Sequence, residues 1–322
     1  MRKLVYMGLR LANRFNRSNI AILKYHSVKE NPDLFDDCLC PSTIISASAF
    51  RVHMEILAKA YDPVTMDDIL RYARGEEKLP RRPVVVTFDD GYRDNFSVAR
   101  PILDALGIRA NIYVTAGSVE KEHAPWFVRL RHAVWTTRRR ECVGLSDKVL
   151  RLHNRDDRVA VARLLAQKCA RLVGEELDEE VICIEQLLQV DPFVPGERLM
   201  MNWDEIGQMS RTGHVIGSHT ISHPNLAHVE DDKMCWELEE SKRILEGKLG
   251  QRVIHFSYPN PALTPNLSEA TMMAVRRAGY QTAVQSNHGK MHLEDPLYSI
   301  KRTWAPADRE QFVWNIERAL FG

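Results

Sequence analysis

An excess of charge is what this sequence most clearly lacks: 44 Lys and Arg stand against 43 Asp and Glu over 322 residues, a formal net charge of +1. So balanced a chain argues against a nucleic-acid or strongly anionic partner. Cysteine pairing is missing too. Cys38, Cys40, Cys142, Cys169, Cys183 and Cys235 show no CxxC spacing, which speaks against a disulfide framework or a thiolate metal site and for ordinary buried thiols of a reducing compartment. The segment Met1 to Arg17 lacks the apolar core and small-residue cleavage site of a secretory signal, because Arg2, Lys3, Arg10, Arg14 and Arg17 interrupt Leu4, Val5, Met7, Leu9, Leu11 and Phe15. It is also too short and too charged to span a bilayer. The expectation is a cytoplasmic protein whose first helix covers the body of the fold or lies, peripherally, on the inner face of an anionic membrane. No stretch reads as disordered, and the 44% apolar content suffices for one large domain over residues 1–322. The oligomeric state is left open.

What is present is concentrated in two short runs. Val84-Val85-Val86-Thr87-Phe88-Asp89-Asp90-Gly91-Tyr92 follows Pro80 and Pro83 and reads as a fully buried strand of a parallel sheet that ends in two carboxylates. Successive side chains of a strand face opposite ways, so Asp89 and Asp90 serve one site only if the chain turns between them, and Gly91 permits that turn. Alternatively Asp-Gly is a plain turn, with Asp90 capping a helix that begins near Asn95. The second run, Val215-Ile216-Gly217-Ser218-His219-Thr220-Ile221-Ser222-His223-Pro224, also ends a strand in polar residues. Histidines four apart, on one helical turn or in a tight loop, put two imidazoles on one side. With one carboxylate they make a catalytic zinc set with a position open to water.

Thr87-Phe88-Asp89-Asp90-Gly91 and His219-Thr220-Ile221-Ser222-His223 resemble the first two motifs of the polysaccharide deacetylase family, the NodB-homology or carbohydrate esterase family four enzymes. The resemblance covers roughly Ile20 to Trp304. It implies an α/β fold, a distorted (β/α) barrel of about seven strands, and hydrolysis of the N-acetyl group of an amino sugar in a polysaccharide, oligosaccharide or lipid-linked glycan. It implies Zn2+ or another divalent metal held by Asp90, His219 and His223, with Asp89 as base. A catalytically inactive carbohydrate-binding barrel, or a metal-dependent hydrolase of another amide or ester, is the alternative.

The rest of the chain fits a barrel rhythm. Ile20 to Val28 reads as a strand presenting His26, and Ser48 caps a helix through Phe50, Met54 and Leu57. Thr65 opens another helix. Phe96 to Leu106 is a helix stopped by Gly107, before a strand from Ile108 to Thr115. From Ala124 to Arg198 no strand signal interrupts a charged helical sequence, which reads as an insertion over the barrel mouth. Cys235 to Leu249 is helical, with Trp236, Leu238, Ile244 and Leu245 partly buried and Glu239, Glu240 and Lys242 facing water. Arg252 to Asn260, Gln281 to Val284 and Tyr298 to Arg302 supply the last three strands.

Two departures from the family pattern stand out. Ser257, within Phe256-Ser257-Tyr258-Pro259-Asn260-Pro261, occupies the place where many members carry an arginine that orients the base; Arg302 is the candidate substitute. The usual carboxy-terminal histidine acid is also missing, and a Tyr-His motif of some members puts His26 forward for it, with His288 and His292 behind. By the same resemblance the backbone N–H of Asn260 faces the oxyanion.

Overall fold

In the computed structural model, which describes residues 19–32, 43–121, 124–144, 149–259 and 263–322, seven parallel strands close into a barrel. The strands in chain order are β1 (Asn19–Tyr25), β2 (Ser27–Lys29), β3 (Ile44–Ser46), β4 (Asp62–Val64), β5 (Pro83–Phe88), β6 (Ala110–Val114), β7 (Glu141–Cys142), β8 (Leu150–Arg151), β9 (Val215–Ser218), β10 (His255–Ser257), β11 (Thr282–His288), β12 (Met291–His292) and β13 (Ile300–Trp304). The helices are α1 (Ala47–Ala60), α2 (Met66–Ala73), α3 (Arg100–Ala105), α4 (Trp126–Thr136), α5 (Arg155–Cys169), α6 (Gly174–Leu188), α7 (Trp203–Arg211), α8 (Asp231–Leu249), α9 (Glu269–Arg277) and α10 (Arg309–Phe321).

The barrel runs β1, β5, β6, β9, β10, β11, β13 and back to β1, every pairing parallel. β1 meets β5 from Ala21 opposite Val84 to Tyr25 opposite Phe88, and it meets β13 with Lys24 opposite Trp304. Because all seven strands point the same way, their carboxyl ends gather at one mouth, where Asp89, His219 and His26 emerge. β4 extends the sheet beside β5, and β12 runs antiparallel against the start of β1. Val84, Val85 and Val86 are wholly buried. One face fills the barrel and the other meets the outer helices, which is why the run shows no alternation.

Local signals set the helix starts. Thr65 and Asp68 form a capping box on α2, as Asn202 and Glu205 do on α7. At α1 the cap is Ser46, whose side chain accepts from the Ala49 N–H, so the helix starts earlier than the Ser48 cap expected of the sequence. Asp90 caps nothing; the turn after β5 passes through a π-helical stretch, Asn95–Ala99, into α3.

The insertion has a core of its own. Leu130, Val134, Leu165, Val181, Ile184 and Leu188 from α4, α5 and α6 bury one another, apart from the barrel cluster of Leu23, Val86, Phe88, Ile112 and Phe256. A short hairpin, β7 with β8, breaks what reads in sequence as unbroken helix. Two-residue strands are too brief to leave a periodic signal. Arg129 and Glu185 form a buried bidentate pair inside this unit, at 2.9 and 2.5 Å. Among the described cysteines, Cys142 and Cys169 are buried but Cys183 is exposed, so not all are core thiols. Met1 to Arg17, Cys38, Cys40 and Asn260 lie outside the described residues. No described helix is long and apolar enough to cross a membrane.

Candidate metal centre and active site

The two carboxylates after β5 part company because the backbone turns at the second of them. Asp90 has φ 73° and Gly91 φ 85°. A left-handed non-glycine residue is a local strain held by its surroundings, here by Thr115 N–H to Asp90 O at 3.3 Å and Met201 N–H to Gly91 O at 3.0 Å. Asp89 therefore points to one side of the barrel mouth and Asp90 to the other.

Asp90 faces the two histidines. Its Oδ1 lies 3.4 Å from His219 Nε2 and 3.4 Å from His223 Nε2, and all three residues are buried or nearly so. His219 Nδ1 is 2.7 Å from the Ser257 carbonyl, to which only an N–H can bond, so its Nε2 carries a lone pair toward the site. Asp90 Oδ1, buried, has no hydrogen-bond partner among the described residues. Acceptors converging on one point repel unless a cation lies between them. Two ligand atoms at about 2.05 Å from one tetrahedral ion would sit roughly 3.3 Å apart, close to the spacing found. The donor set fits a divalent cation.

The histidine loop owes its shape to a full set of backbone partners. His219 N–H donates to Val114 O and His223 N–H to Thr220 Oγ1, while Thr220 Oγ1 donates to His219 O. Thr220 O accepts from Ala116 N–H at 2.9 Å and Ile221 O from Gly117 N–H at 3.1 Å. A Cβ on Gly117 would stand 2.5 Å from Ile221 O, so only glycine lets the two backbones meet. Ser222 O accepts from Trp126 Nε1 at 2.9 Å. The Thr220 N–H donates to Ser218 Oγ at 3.4 Å, and those of Ile221 and Ser222 go to the Glu237 carboxylate at 2.7 and 3.0 Å. Phe127 stacks at a tilt on His223, ring centroids 4.7 Å apart, so the insertion helix α4 walls the site. Glu237 and Trp126 are absent from the sequence-based site. The inward face of α8 carries Glu237, wholly buried, whereas Trp236, expected to be partly buried, is 43% exposed.

Asp89 is locked on the other side. Arg302 Nη1 reaches Asp89 Oδ1 at 2.7 Å and Nη2 reaches Oδ2 at 2.6 Å, while Ser257 Oγ donates to Oδ1 at 3.0 Å. Arg302 is itself held by the Gln285 carbonyl at 3.0 Å and is 1% exposed. A guanidinium from β13 thus occupies the orienting position that Ser257 leaves without charge. Burial alone would raise the Asp89 pKa, but Arg302 and His219 outweigh it and hold the carboxyl well below the usual range. His26 Nε2 lies 3.8 Å from Asp89 Oδ2. Burial pulls the imidazole down to about 4 against the opposing pull of Asp90 and Asp89, leaving it neutral in the free protein. Its backbone is fixed by Asn95 Nδ2 donating to His26 O at 2.6 Å.

The two reserve histidines stand apart. His292 pairs with Asn19 at the start of β1, the end of the strand opposite to His26, about 20 Å away at roughly 3.3 Å per residue. It belongs to the far side of the barrel. His288 is exposed at the end of β11, its Nδ1 accepting from Trp304 N–H at 3.3 Å.

A family model described as polysaccharide deacetylase matches residues 76–159 and 186–283. Over 286 residues the chain is 21% identical to YxkH of Bacillus subtilis strain 168, a relative that carries the same family name, covering 88% of this chain and 71% of that one. Over 121 residues it is 28% identical to the peptidoglycan-N-acetylglucosamine deacetylase of Bacillus cereus, covering 38% of this chain and 50% of the relative. Among solved structures, the Streptococcus pyogenes deacetylase PplD in complex with acetate superposes with a TM-score of 0.62 at 17% identity, over 94% of this chain and 99% of that one. The de-N-acetylase from Aggregatibacter actinomycetemcomitans gives 0.58 at 16% identity, over 92% and 99%. At these identities the structures speak for the fold.

Proposed function

The chain belongs to the polysaccharide deacetylase family and is a hydrolase of amide bonds in N-acetylated carbohydrate; from that premise we propose that it frees acetate from an N-acetylated amino sugar, using zinc and the residues at the barrel mouth. The observation that carries the reading is the division of labour between adjacent carboxylates. Asp90 faces the Nε2 atoms of His219 and His223, while Asp89 is turned to Arg302 and His26.

Asp90, His219 and His223 would hold the cation. Once bound, it supplies Lewis acidity, lowering the pKa of a coordinated water to roughly 7 in favourable zinc sites. Asp89 takes the proton of the attacking water at Oδ2. The bidentate guanidinium keeps that oxygen aimed at the site and keeps the carboxylate ionised. His26 hands a proton to the departing nitrogen from Nε2. Because the imidazole is neutral beforehand, it gains that proton during turnover, and Asp89 Oδ2 at 3.8 Å is positioned to pass it on. By the family resemblance the backbone N–H of Asn260, which lies outside the described residues, would serve the oxyanion.

A cavity of about 130 Å³ adjoins His26, bordered by Lys24, Ile44, Ile45 and Trp304. Trp304 is 49% exposed there, and an aromatic face open to water suits the C–H face of a sugar ring. The whole of residues 1–322 is read as one barrel domain carrying its insertion. The test is acetate release from a panel of N-acetylated oligosaccharides and lipid-linked sugars, run with zinc and after chelation. Zinc-dependent acetate release supports the reading. Binding of the saccharides without release would establish a sugar-binding barrel instead, and turnover of aryl esters alone would make it an esterase.

A further inference from the structure

We infer that Glu237, which lies outside the ligand set and touches no reacting atom, sets the affinity of the cation by holding the His219–His223 loop closed. The inference rests on the reading of Asp90, His219 and His223 as ligands, and adds a positioning residue to it.

The loop between the two histidines is not a standard turn. Thr220 has φ 69° and His223 φ 63°, conformations that a β-branched residue and an imidazole-bearing residue rarely adopt. These two left-handed residues bring the rings to 4.9 Å between centroids. They also turn the N–H groups of Ile221 and Ser222 away from the barrel, where no strand or helix carbonyl receives them. Glu237 receives both. Its Oε2 accepts from Ile221 N–H at 2.7 Å and Ser222 N–H at 3.0 Å, and its Oε1 accepts the Ser222 hydroxyl.

Glu237 is 0% exposed and sits on the inward face of α8. An ion-competent carboxylate is a costly residue to bury, and among the described residues no cationic side chain is bonded to it. Its hydrogen bonds are all to this one loop, so the loop is what the burial serves. The carbonyls of the same loop are held by the N–H groups of Ala116 and Gly117 and by Trp126 Nε1. The loop is therefore clamped through its N–H groups by α8 and through its carbonyls by the β6 end and the insertion. Only the first clamp is a single side chain.

Loss of a group that orients metal ligands typically costs 10–100-fold in metal affinity. The experiment measures zinc affinity of the full chain by competition with a chromophoric chelator, alongside kcat per bound zinc and the urea midpoint of the zinc-free protein. Glu237→Ala should weaken zinc binding by roughly 10–100-fold, with kcat per bound ion within about twofold of the parent. Glu237→Asp, whose carboxylate stops one methylene short, should also lose affinity, and it decides the matter if the alanine variant does not fold. Glu237→Gln should restore affinity to near the parent, since its amide oxygen can accept both backbone N–H groups and its NH2 can donate to Ser222 Oγ. Parental affinity in the aspartate variant, or a glutamine variant as weak as alanine, overturns the role of Glu237 alone. Absence of stoichiometric zinc in the parent overturns the ligand set, and this inference with it.

Discussion

Asp89 lives under opposed constraints: a proton acceptor is weakened by a cation at its side, yet a carboxylate this buried would not stay ionised without one. Arg302 resolves the conflict with two parallel hydrogen bonds, which fix the plane of the carboxylate as well as its charge. Arg302→Met should then leave Asp89 buried and uncompensated, lowering stability by about 3–5 kcal/mol in urea unfolding. A change under 1 kcal/mol would mean that Ser257 suffices. Asp89→Asn is nearly isosteric and leaves the cation ligands untouched, so it should abolish acetate release while zinc content stays at parental stoichiometry. Substantial turnover in that variant would move the base elsewhere. His26→Ala should cut kcat on an N-acetyl sugar by roughly 10²–10⁴-fold but spare an activated aryl acetate, whose leaving group needs little protonation. Equal losses on both substrates would make His26 a structural or substrate-holding group.

At the scale of elements, the insertion is joined to the chemistry through one short segment of α4. Trp126 donates to the loop carbonyl of Ser222 and Phe127 covers His223, so the insertion is more than an access lid over the mouth. It adds wall and support to the proposed metal loop. Within the insertion, Arg129 and Glu185 replace apolar packing with a buried ion pair. Arg129→Met should destabilise the protein by about 3–5 kcal/mol because it strands Glu185, whereas the double change Arg129→Met with Glu185→Met should recover most of that loss. Tryptophan-monitored urea unfolding of the three proteins checks this. A double variant as unstable as the single one would show that the pair is worth more than the packing that replaces it.

For the whole molecule, the proposed ligands come from the ends of β5 and β9, separated in the barrel wall by β6. A cation bound there would tie non-adjacent strands and should stabilise the closed barrel by mass action, by about 2.7 kcal/mol at a hundredfold excess over Kd. Thermal unfolding with and without chelator measures it, and far-UV circular dichroism should show the barrel intact when zinc is removed. Equal unfolding midpoints in both conditions would contradict binding at this place. Closure itself rests on apolar burial in β1, β5 and β6, which is independent of the cation.

How much of this was legible in the chain follows from the range of each interaction. The alternation of buried strands with capped helices, the turn between Asp89 and Asp90 and the four-residue histidine spacing are local, so the sequence by itself determined seven strand segments and the aspartate and histidine pairs, and the family resemblance of those pairs implied the barrel. The arginine was legible only as a candidate, because 213 positions separate Arg302 from Asp89 and their meeting depends on β13 closing against β1. Glu237 was not legible at all. A glutamate in a charged helix resembles a solvated face, as its neighbours Glu239 and Glu240 do, and its partners are backbone N–H groups, which leave no trace in side-chain composition. Trp126 was hidden for the same reason, its indole N–H meeting a carbonyl 96 residues away. The short hairpin of the insertion lacked the length to show a period. Tertiary structure decided these because hydrogen bonds to backbone are specified by position in space, whereas burial and capping are written in the order of the residues.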